Sequence, residues 1–439
     1  MLRQMGRDAK TGRRALAAVA LFGVPVLIEL YRRVLAIPQR PSWPPPRDAV
    51  TSAGAQAATE ARAPAPLDFA WSTAATIEPW VEGVNFFPRI FADVEAASSS
   101  VHILMFGWRE GAVGTQMAEL LKRKLAEGVE VRVLVDGFGS RPYAAAREMF
   151  TGLAAAGAEI AVNDFSLFER QGLFPDRQRR ALRQGELGRV DHRKLYVVDG
   201  RLLWIGGAGI EDHFRNGGFH DVMARVTGDV VRQAQALFLM SFRGHGGPLP
   251  AELDPLFPEQ SEPGTTPVAL LQTVPGGFVS AAQALRELVD HSQRRIDVMN
   301  PYVTDADMIQ RLTAAARRVA VRIVVSETSN NTQATAAFEH HYRDLLDAGA
   351  RIYEYPGAVV HAKVLVADDT VVFGTVNLDA WALYRNYEIA MMARSATTAS
   401  LMEQRVFEPD IAKSRPGTPP TGLRTRSKDW VWDKLSYFL

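Results

Sequence analysis

Two stretches of the chain share one pattern, "VDHRKLYVVDGRLLWIGG" at residues 190–207 and "VVHAKVLVADDTVVFGT" at residues 359–375. In each stretch a histidine is followed two residues later by a lysine and seven residues later by an aspartate. The apolar run after each lysine, and a second run beyond a short turn, predict two consecutive strands. The repeated residues are His192, Lys194 and Asp199 in the first copy and, 169 residues later (361 − 192), His361, Lys363 and Asp368 in the second.

The segments that surround the two motifs repeat as well. In the first half "SVHILMF", the helical stripe "GTQMAELLKRKLAEG" and "VEVRVLVDG" precede the motif, and in the second half "RRIDVMNPY", "DADMIQRLTAAARR" and "VAVRIVVSE" follow the same order. Strands separated by helices favour parallel pairing. We therefore expect an α/β fold of two similar halves, residues 67–249 and 264–410, each a mostly parallel sheet flanked by helices.

Composition restricts the classes of function. A net charge of +1 over 439 residues excludes a globally basic nucleic-acid binder, so no nucleic-acid partner is expected. The absence of cysteine excludes disulfides, thiolate metal sites and a cysteine nucleophile. No set of metal ligands is evident in the sequence, and we expect no cofactor.

The N-terminus differs from the rest of the chain. An unbroken apolar run, Ala15 to Ile28, lies between two pairs of arginines, and a Pro/Ala-rich linker (39–66) follows it. The run is shorter than the ~20 residues of a spanning helix, and a core helix or a secretory segment are the alternatives. We favour a membrane segment within residues 1–38, with its orientation open because basic residues flank both sides.

Two further segments are open to alternative interpretations. The first half carries extra residues at about 165–187, with five arginines and several apolar side chains. This insertion is either a solvated surface loop or a basic lip that contacts an anionic lipid surface. In the tail (411–439), the end "DWVWDKLSYFL" is rich in aromatic residues, and we favour packing on the second half over insertion at a membrane interface.

Strand geometry separates the roles of the motif residues. His and Lys two residues apart project from the same face of a strand, whereas Asp199 and Asp368 lie at odd spacing and are expected to hold the turn after the strand. The small-residue turns "GGAG" (206–209) and "GTVN" (374–377) allow backbone to approach an anion closely. The candidate substrate-binding residues in these turns are Gly207, Thr375 and Asn377.

Two His/Lys pairs that converge on one point would form a phosphate site. The lysines neutralise phosphate oxygens, while one imidazole attacks phosphorus and the other protonates the leaving alcohol. Asp221 and Glu388 begin later strands at matching positions, 29 and 27 residues past the histidine of their own half, and are candidates for orienting the imidazoles. Simple burial of the histidines is the alternative, and the paired motifs argue against it.

The two motifs resemble the signature of the phospholipase D superfamily over about residues 68–410, and the closest likeness is to bacterial cardiolipin synthases. The resemblance implies an active site between two α/β halves and transfer of a phosphatidyl group through a phosphohistidine, with His192 as nucleophile. It implies phosphatidylglycerol as the phospholipid substrate and a place at the bacterial inner membrane. The chain departs from the pattern at Gly209, where the first half usually carries Asn, and at Thr375, where Ser is common.

Three functions are compatible with this sequence. The first is a cardiolipin synthase-like phosphatidyltransferase that converts two phosphatidylglycerol molecules into cardiolipin and glycerol. The second is a phospholipase D, or another phosphodiesterase or nuclease, that uses water as the acceptor. The third is a membrane-anchored protein that binds phosphate head groups without turnover, which two intact His/Lys pairs disfavour.

Overall fold

Apolar runs of four to eight residues become the strands of two sheets. The computed structural model describes residues 70–140, 147–163, 189–262, 264–275, 277–421, 429–430 and 432–433. The predicted membrane segment (1–38), the linker (39–66) and the insertion (165–187) lie outside the described residues. In chain order, the strands are β1 (Trp71–Ala74), β2 (Thr76–Val81), β3 (Ser100–Met105), β4 (Glu130–Asp136), β5 (Glu159–Asn163), β6 (Lys194–Val198), β7 (Leu202–Gly206), β8 (Phe219–His220), β9 (Val222–Thr227), β10 (Thr266–Thr273), β11 (Arg295–Met299), β12 (Ala320–Ser326), β13 (Arg351–Tyr355), β14 (Val359–Val360), β15 (Val364–Ala367), β16 (Thr370–Gly374), β17 (Glu388–Arg394) and β18 (Arg415–Pro416).

Helices fill most of the connections between these strands. They are α1 (Gly83–Glu95), α2 (Ala112–Ala126), α3 (Arg147–Ala155), α4 (Asp212–Arg215), α5 (Val230–Gly244), α6 (Ser280–His291), α7 (Ala306–Ala316), α8 (Thr332–Glu339), α9 (Tyr342–Asp347), α10 (Ala380–Tyr384), α11 (Ala396–Met402) and α12 (Glu408–Lys413), with a 3-10 turn at Asp254–Leu256 and a π-helical turn at Glu403–Phe407. Among the described residues, no helix combines the length and the apolar character that crossing a bilayer requires.

The two sheets repeat one strand order, which confirms the predicted pair of similar α/β halves. The first sheet runs β2-β9-β7-β6-β3-β4-β5. The second sheet contains the equivalent series β10-β17-β16-β15-β11-β12-β13, with β1 added at one edge and β18 at the other. Strand β1 thus joins the second sheet, although it precedes the first strand of the first sheet in the chain.

The expectation of mostly parallel sheets is wrong. Only the pairs β3–β4 and β4–β5, and their equivalents β11–β12 and β12–β13, are parallel, and the other described pairs within the two large sheets are antiparallel. The reason lies in the motif region, where β6 and β7 are joined by a tight turn that cannot make the long crossover a parallel pair needs. The alternation of strands and helices therefore predicts parallel pairing correctly only for the three strands at one side of each sheet, β3–β5 and β11–β13.

The central strands are buried on both faces, so their sequences are continuously apolar. In β3, Val101, Ile103 and Met105 pack beneath the helices of the first half, whereas Leu104 belongs to the core that continues into the second sheet. The same core includes Val364 next to the second motif. Apolar contacts between the two sheets therefore hold the two motif strands in one rigid frame.

A third, two-stranded sheet connects the halves directly at the motifs. Here β8 of the first half pairs in parallel with β14 of the second, with Phe219 opposite Val359 and His220 opposite Val360. A matching contact on the other side pairs Asp191 with Tyr387 in parallel. Each half therefore extends one short segment onto the backbone of the other.

Candidate active site

The two aspartates of the motif hold turns and do not face the histidines. Asp199 has a φ of 52°, in the left-handed region that Asp tolerates better than most residues, and Asp368 has the same value. The Asp199 carboxylate accepts the backbone N–H groups of Ser98, Ser99 and Ser100 at 2.8–3.1 Å. Their structural role is confirmed, and a catalytic role for either is not supported by this geometry.

Asp368 repeats this arrangement in the second half. It accepts the N–H groups of Gln293, Arg294 and Arg295 at 2.8–3.1 Å. Burial works against ionisation of Asp199, but the backbone and hydroxyl donors outweigh it and hold the pKa of that carboxyl below its usual value. Each aspartate thus ties the motif hairpin to the start of the neighbouring strand, β3 or β11.

The two histidines are oriented by carboxylates, but in a crossed arrangement. His192 Nδ1 lies 3.0 Å from both carboxylate oxygens of Glu388, and His361 Nδ1 lies 2.7 Å from Oδ2 of Asp221. The sequence predicts that these two carboxylates orient the imidazoles but not which carboxylate serves which histidine, and the structure pairs each histidine with the carboxylate of the other half. Because the halves exchange backbone segments, the strand that follows each motif carries its carboxylate across to the other half.

Backbone hydrogen bonds fix this exchange. The His192 N–H donates to the carbonyl of Tyr387 at 2.9 Å, one residue before Glu388. The His361 N–H donates to the carbonyl of His220 at 2.7 Å, one residue before Asp221. The approximate twofold relation between the halves is therefore obeyed down to single hydrogen bonds.

Burial differs between the imidazoles and their carboxylates. The side chains of His192 and His361 are 12% and 11% exposed, whereas those of Asp221 and Glu388 are fully enclosed. With Nδ1 engaged by a carboxylate, Nε2 is the nitrogen of each ring that is left for a substrate. The site thus presents two partly exposed imidazoles backed by two fully enclosed carboxyl groups.

The two lysines lie beside the imidazoles. Lys194 Nζ donates to the carbonyl of His192 at 2.6 Å, and Lys363 Nζ lies 3.0 Å from His361 Nδ1 and also donates to the His361 carbonyl. Burial lowers the pKa of Lys194 to about 8, against the opposing pull of Glu388 and Asp221. Burial likewise lowers the pKa of Lys363 to about 7, with Lys194 adding to the effect.

Burial also sets the protonation of the remaining groups. It holds the pKa of both His192 and His361 well below the usual value, and the neighbouring lysine ammoniums lower both further. Burial raises the pKa of Glu388 to about 8 and raises that of Asp221, while the lysines oppose this shift. The lowered pKa values favour neutral imidazoles, and the negative charge of a phosphate would favour protonation of the histidines and lysines.

The predicted anion-binding backbone of the glycine turns is not present at Gly207 and Thr375. The Gly207 N–H donates to Val222 O at 3.3 Å and the Thr375 N–H to Ile389 O at 2.8 Å, so the sheet uses both donors. A Cβ atom at Gly207 would lie 2.5 Å from Asp221 Oδ1, and the Thr375 hydroxyl donates to Glu388 Oε2 at 2.5 Å. Both residues therefore lie against the carboxyl groups that hold the imidazoles.

The turns differ most at the position where the first half lacks asparagine. Asn377 is nearly buried and hydrogen-bonds to Asp379, and among the described side chains its Oδ1 is a buried atom without a partner. At the equivalent Gly209, a Cβ atom would lie 2.7 Å from Gly107 O and 2.9 Å from Glu211 Oε1. The longer Glu211, whose Oε2 accepts from Arg109 Nε at 2.9 Å, occupies the space of the missing asparagine.

Sequence reasoning missed Glu211 and the residues around His220. Glu211 occupies the position of Asp379 when the two turns are aligned, so the repeat itself carried the signal. Among the described residues, no group of three or more His, Asp or Glu side chains is placed to hold a metal ion.

Comparison with known proteins agrees with this geometry. Residues 285–410 match the family model described as "Cardiolipin synthase, PLD-like domain". The chain is 28% identical to the minor cardiolipin synthase ClsB of Bacillus subtilis over 369 residues, 81% of this chain and 87% of that protein. It is 25% identical to a cardiolipin synthase of Listeria welshimeri over 370 residues, 81% of this chain and 72% of that protein.

A solved structure shares the fold. The crystal structure of the phosphatidylserine synthase of Haemophilus influenzae Rd KW20 matches with a TM-score of 0.59 at 13% identity, covering 85% of this chain and 97% of that one. At this identity the match bears on the fold alone. The chain is therefore similar to bacterial cardiolipin synthases over 81% of its length, and its second half matches a PLD-like domain.

Proposed function

We propose that this protein is a phosphatidyltransferase of the cardiolipin synthase type that acts on phospholipids through a phosphohistidine. One observation carries the proposal: two imidazoles, each held through Nδ1 by a buried carboxylate of the other half, share one site with two buried lysines. In-line displacement at phosphorus needs a group on each side of the phosphate. A single motif could not supply both.

In the first step, Nε2 of His192 attacks the phosphorus of a phosphatidylglycerol phosphodiester. A P–N bond forms, the P–O bond to the glycerol head group breaks, and a proton from Nε2 of His361 passes to the departing oxygen. The negative charge of the bound phosphate supports protonation of His361 for this role. Lys194 and Lys363 neutralise charge on the non-bridging oxygens.

In the second step, an acceptor hydroxyl replaces glycerol. The neutral His361 takes the proton of the hydroxyl of a second phosphatidylglycerol, whose oxygen forms a new P–O bond while the P–N bond to His192 breaks. The products are cardiolipin and the free enzyme, and His361 is again protonated. Water as acceptor would give phosphatidic acid by the same steps, so the acceptor alone separates the transferase from a hydrolase.

The relatives named above support a lipid acceptor, and a net charge of +1 is low for a nuclease. Membrane attachment is part of the proposal, with the bacterial inner membrane as the site of action. Within the turns, we assign a substrate contact to Asn377, whose Oδ1 has no described protein partner. Thr375 and Gly207 act by supporting Glu388 and Asp221.

The experiment combines the purified full-length protein with phosphatidylglycerol vesicles and separates the lipid products. The proposal expects cardiolipin and an equal amount of glycerol, and no turnover in His192→Ala or His361→Ala. His291→Ala is the matched control, because His291 lies at the end of α6, bonded to the carbonyl of Glu287, and takes no part in the site. Phosphatidic acid as the main product would establish the hydrolase, and no product would contradict both.

A further inference from the structure

A second histidine, His220, is enclosed directly beside Asp221. Its Nδ1 lies 2.5 Å from Glu82 Oε1 and its Nε2 lies 2.7 Å from Asp410 Oδ2, and the side chain is 1% exposed. A neutral imidazole carries one N–H and can donate to only one of these carboxylates. Hydrogen bonds to two ionised carboxylates require a ring that carries both protons.

The three residues of this arrangement come from distant parts of the chain. Glu82 joins β2 to α1, His220 ends β8, and Asp410 lies in α12, beyond the last large strand of the second half. The ring therefore links the edge of the first sheet to the end of the second half. Such a link is strong only while the ring is charged, because both bonds are charge-assisted.

Other groups surround the ring on its remaining sides. Tyr355 of β13 stacks on it with ring centroids 4.7 Å apart, and Lys413 Nζ of α12 lies 5.8 Å from the centroid of the Tyr355 ring. Asp221, the next residue in the chain, adds a further negative charge. The ring thus lies against Glu82, Asp410 and Tyr355, with Asp221 next to it in the chain.

The backbone of His220 is part of the active site. Its carbonyl accepts the N–H of His361 at 2.7 Å and that of Ala362 at 3.2 Å, and the adjacent Asp221 holds His361 Nδ1. A shift of His220 would displace both contacts that orient His361. The equivalent residue in the second half is Tyr387, which carries no comparable charge, so this arrangement occurs on one side of the site.

We propose that His220, as an imidazolium held between Glu82 and Asp410, is a positioning residue that fixes His361 for proton transfer. The inference rests on the proposed function in one respect, namely that His361 acts in turnover. It adds a residue to the catalytic machinery. It also predicts a loss of activity at alkaline pH that comes from deprotonation of His220 and not of the lysines.

The protonation behaviour agrees with this role. Burial disfavours the charged ring, but hydrogen bonds and charge from Asp410 and Glu82 outweigh it and raise the pKa of His220 to about 9. A raised folded-state pKa stabilises the arrangement fully below the ordinary histidine value of 6.5, and this stabilisation is lost as pH rises toward 9. The ring is therefore charged at neutral pH.

The test compares Asp410→Asn and Glu82→Gln with the full-length wild-type protein between pH 6 and pH 9. The matched control is Asp433→Asn, which removes a carboxylate bonded at 2.7 Å to another histidine, His341, away from the site. Two quantities are measured: turnover of phosphatidylglycerol vesicles, and the titration of the His220 ring nitrogens by NMR on protein labelled with ¹⁵N-histidine. The NMR signals of the His220 ring are identified by their absence from the spectrum of His220→Gln.

We expect Asp410→Asn and Glu82→Gln to lower the pH at which the His220 ring deprotonates. Their turnover relative to wild type should fall about threefold at pH 6 and tenfold or more at pH 8.5, while Asp433→Asn matches wild type throughout. An equal loss at every pH would mean a merely structural contact and would overturn the inference, as would a neutral His220 ring at pH 7. If the wild type turns over no lipid, the proposed function fails, whereas the ring titration still decides the charge state of His220.

Discussion

At the scale of single residues, the site is defined by which carboxylate orients which imidazole. The sequence identified His192, His361, Asp221 and Glu388, and the repeat showed that they occupy equivalent positions in the two halves. It could not reveal the crossed pairing, because spacing along one chain does not show which segments are exchanged between halves. Only the positions of β8 and β14 settle that Asp221 serves His361.

The crossed pairing predicts a pattern of coupling between substitutions. Glu388→Gln should slow turnover about 10²-fold by freeing the His192 ring, and should add little to His192→Ala, since the two groups act as one unit. Asp221→Asn should behave in the same way with His361→Ala. Because the histidine-to-alanine variants have no turnover, the coupling is measured by double-mutant cycles on the free energy of unfolding, and coupling found instead within the pairs His192/Asp221 and His361/Glu388 would refute the crossed assignment.

The lysines predict a decline of activity at alkaline pH. Lys363 and Lys194, with pKa values lowered to about 7 and about 8, lose their positive charge as pH rises, so phosphate binding weakens from about pH 7 upward. A bound phosphodiester stabilises the ammoniums and raises both pKa values. The alkaline limb of kcat should therefore lie at higher pH than that of kcat/KM, and a kcat/KM that rises between pH 7 and 9 would be inconsistent with this account.

At the scale of elements, each motif strand is anchored at both ends. The histidine end is held by the backbone of the other half, and the aspartate end by N–H groups of the segment before β3 or β11. The odd spacing of Asp199 and Asp368 predicted this turn role correctly. The mostly antiparallel pairing was not predicted, because alternation of strands and helices gives no information on hairpins within the motif region.

The aspartates should therefore affect stability more than chemistry. Asp199→Ala removes an acceptor of three backbone N–H groups and should lower the free energy of unfolding by about 1–3 kcal/mol, a range that allows for solvent screening of a half-buried group. Because its folded-state pKa is lowered, this stability is present at neutral pH and lost as pH falls through that pKa. Denaturant unfolding at pH 7 and at pH 3 measures both effects.

The turnover of the aspartate variants separates a role in stability from a role in catalysis. The folded Asp199→Ala and Asp368→Ala proteins should keep turnover within a few-fold of wild type at a temperature below unfolding. A loss comparable to that of His192→Ala, in a variant of unchanged stability, would show that the motif aspartates act in catalysis after all.

At the scale of the whole molecule, two similar halves with inequivalent details form one site. The approximate symmetry supplies two imidazoles, two ammoniums and two carboxylates, and the exceptions include Gly209 opposite Asn377, Glu211 opposite Asp379 and His220 opposite Tyr387. Duplication was readable from sequence because it preserves order and spacing. The exceptions were not, because each depends on which side chain fills a space left by another residue, as Glu211 does at Gly209.

Membrane attachment is predicted to depend on the N-terminal segment. The apolar run within residues 12–38 motivates a variant that lacks residues 1–40, which should be released at least in part from sedimented membranes while keeping its turnover of detergent-dispersed lipid. The full-length chain in the same buffer is the reference. Unchanged sedimentation would show that the segment is not the sole attachment.

The central claim is that the motif is present twice because one phosphate needs a histidine on each side. The most direct measurement is trapping of the intermediate with labelled phosphatidylglycerol, followed by mass spectrometry of peptides from wild type, His192→Ala and His361→Ala. We predict one acid-labile phosphatidyl-histidine adduct on His192, which is absent from His192→Ala, and no turnover in either variant. Near-normal turnover in both single variants, or an adduct on neither histidine, would contradict it.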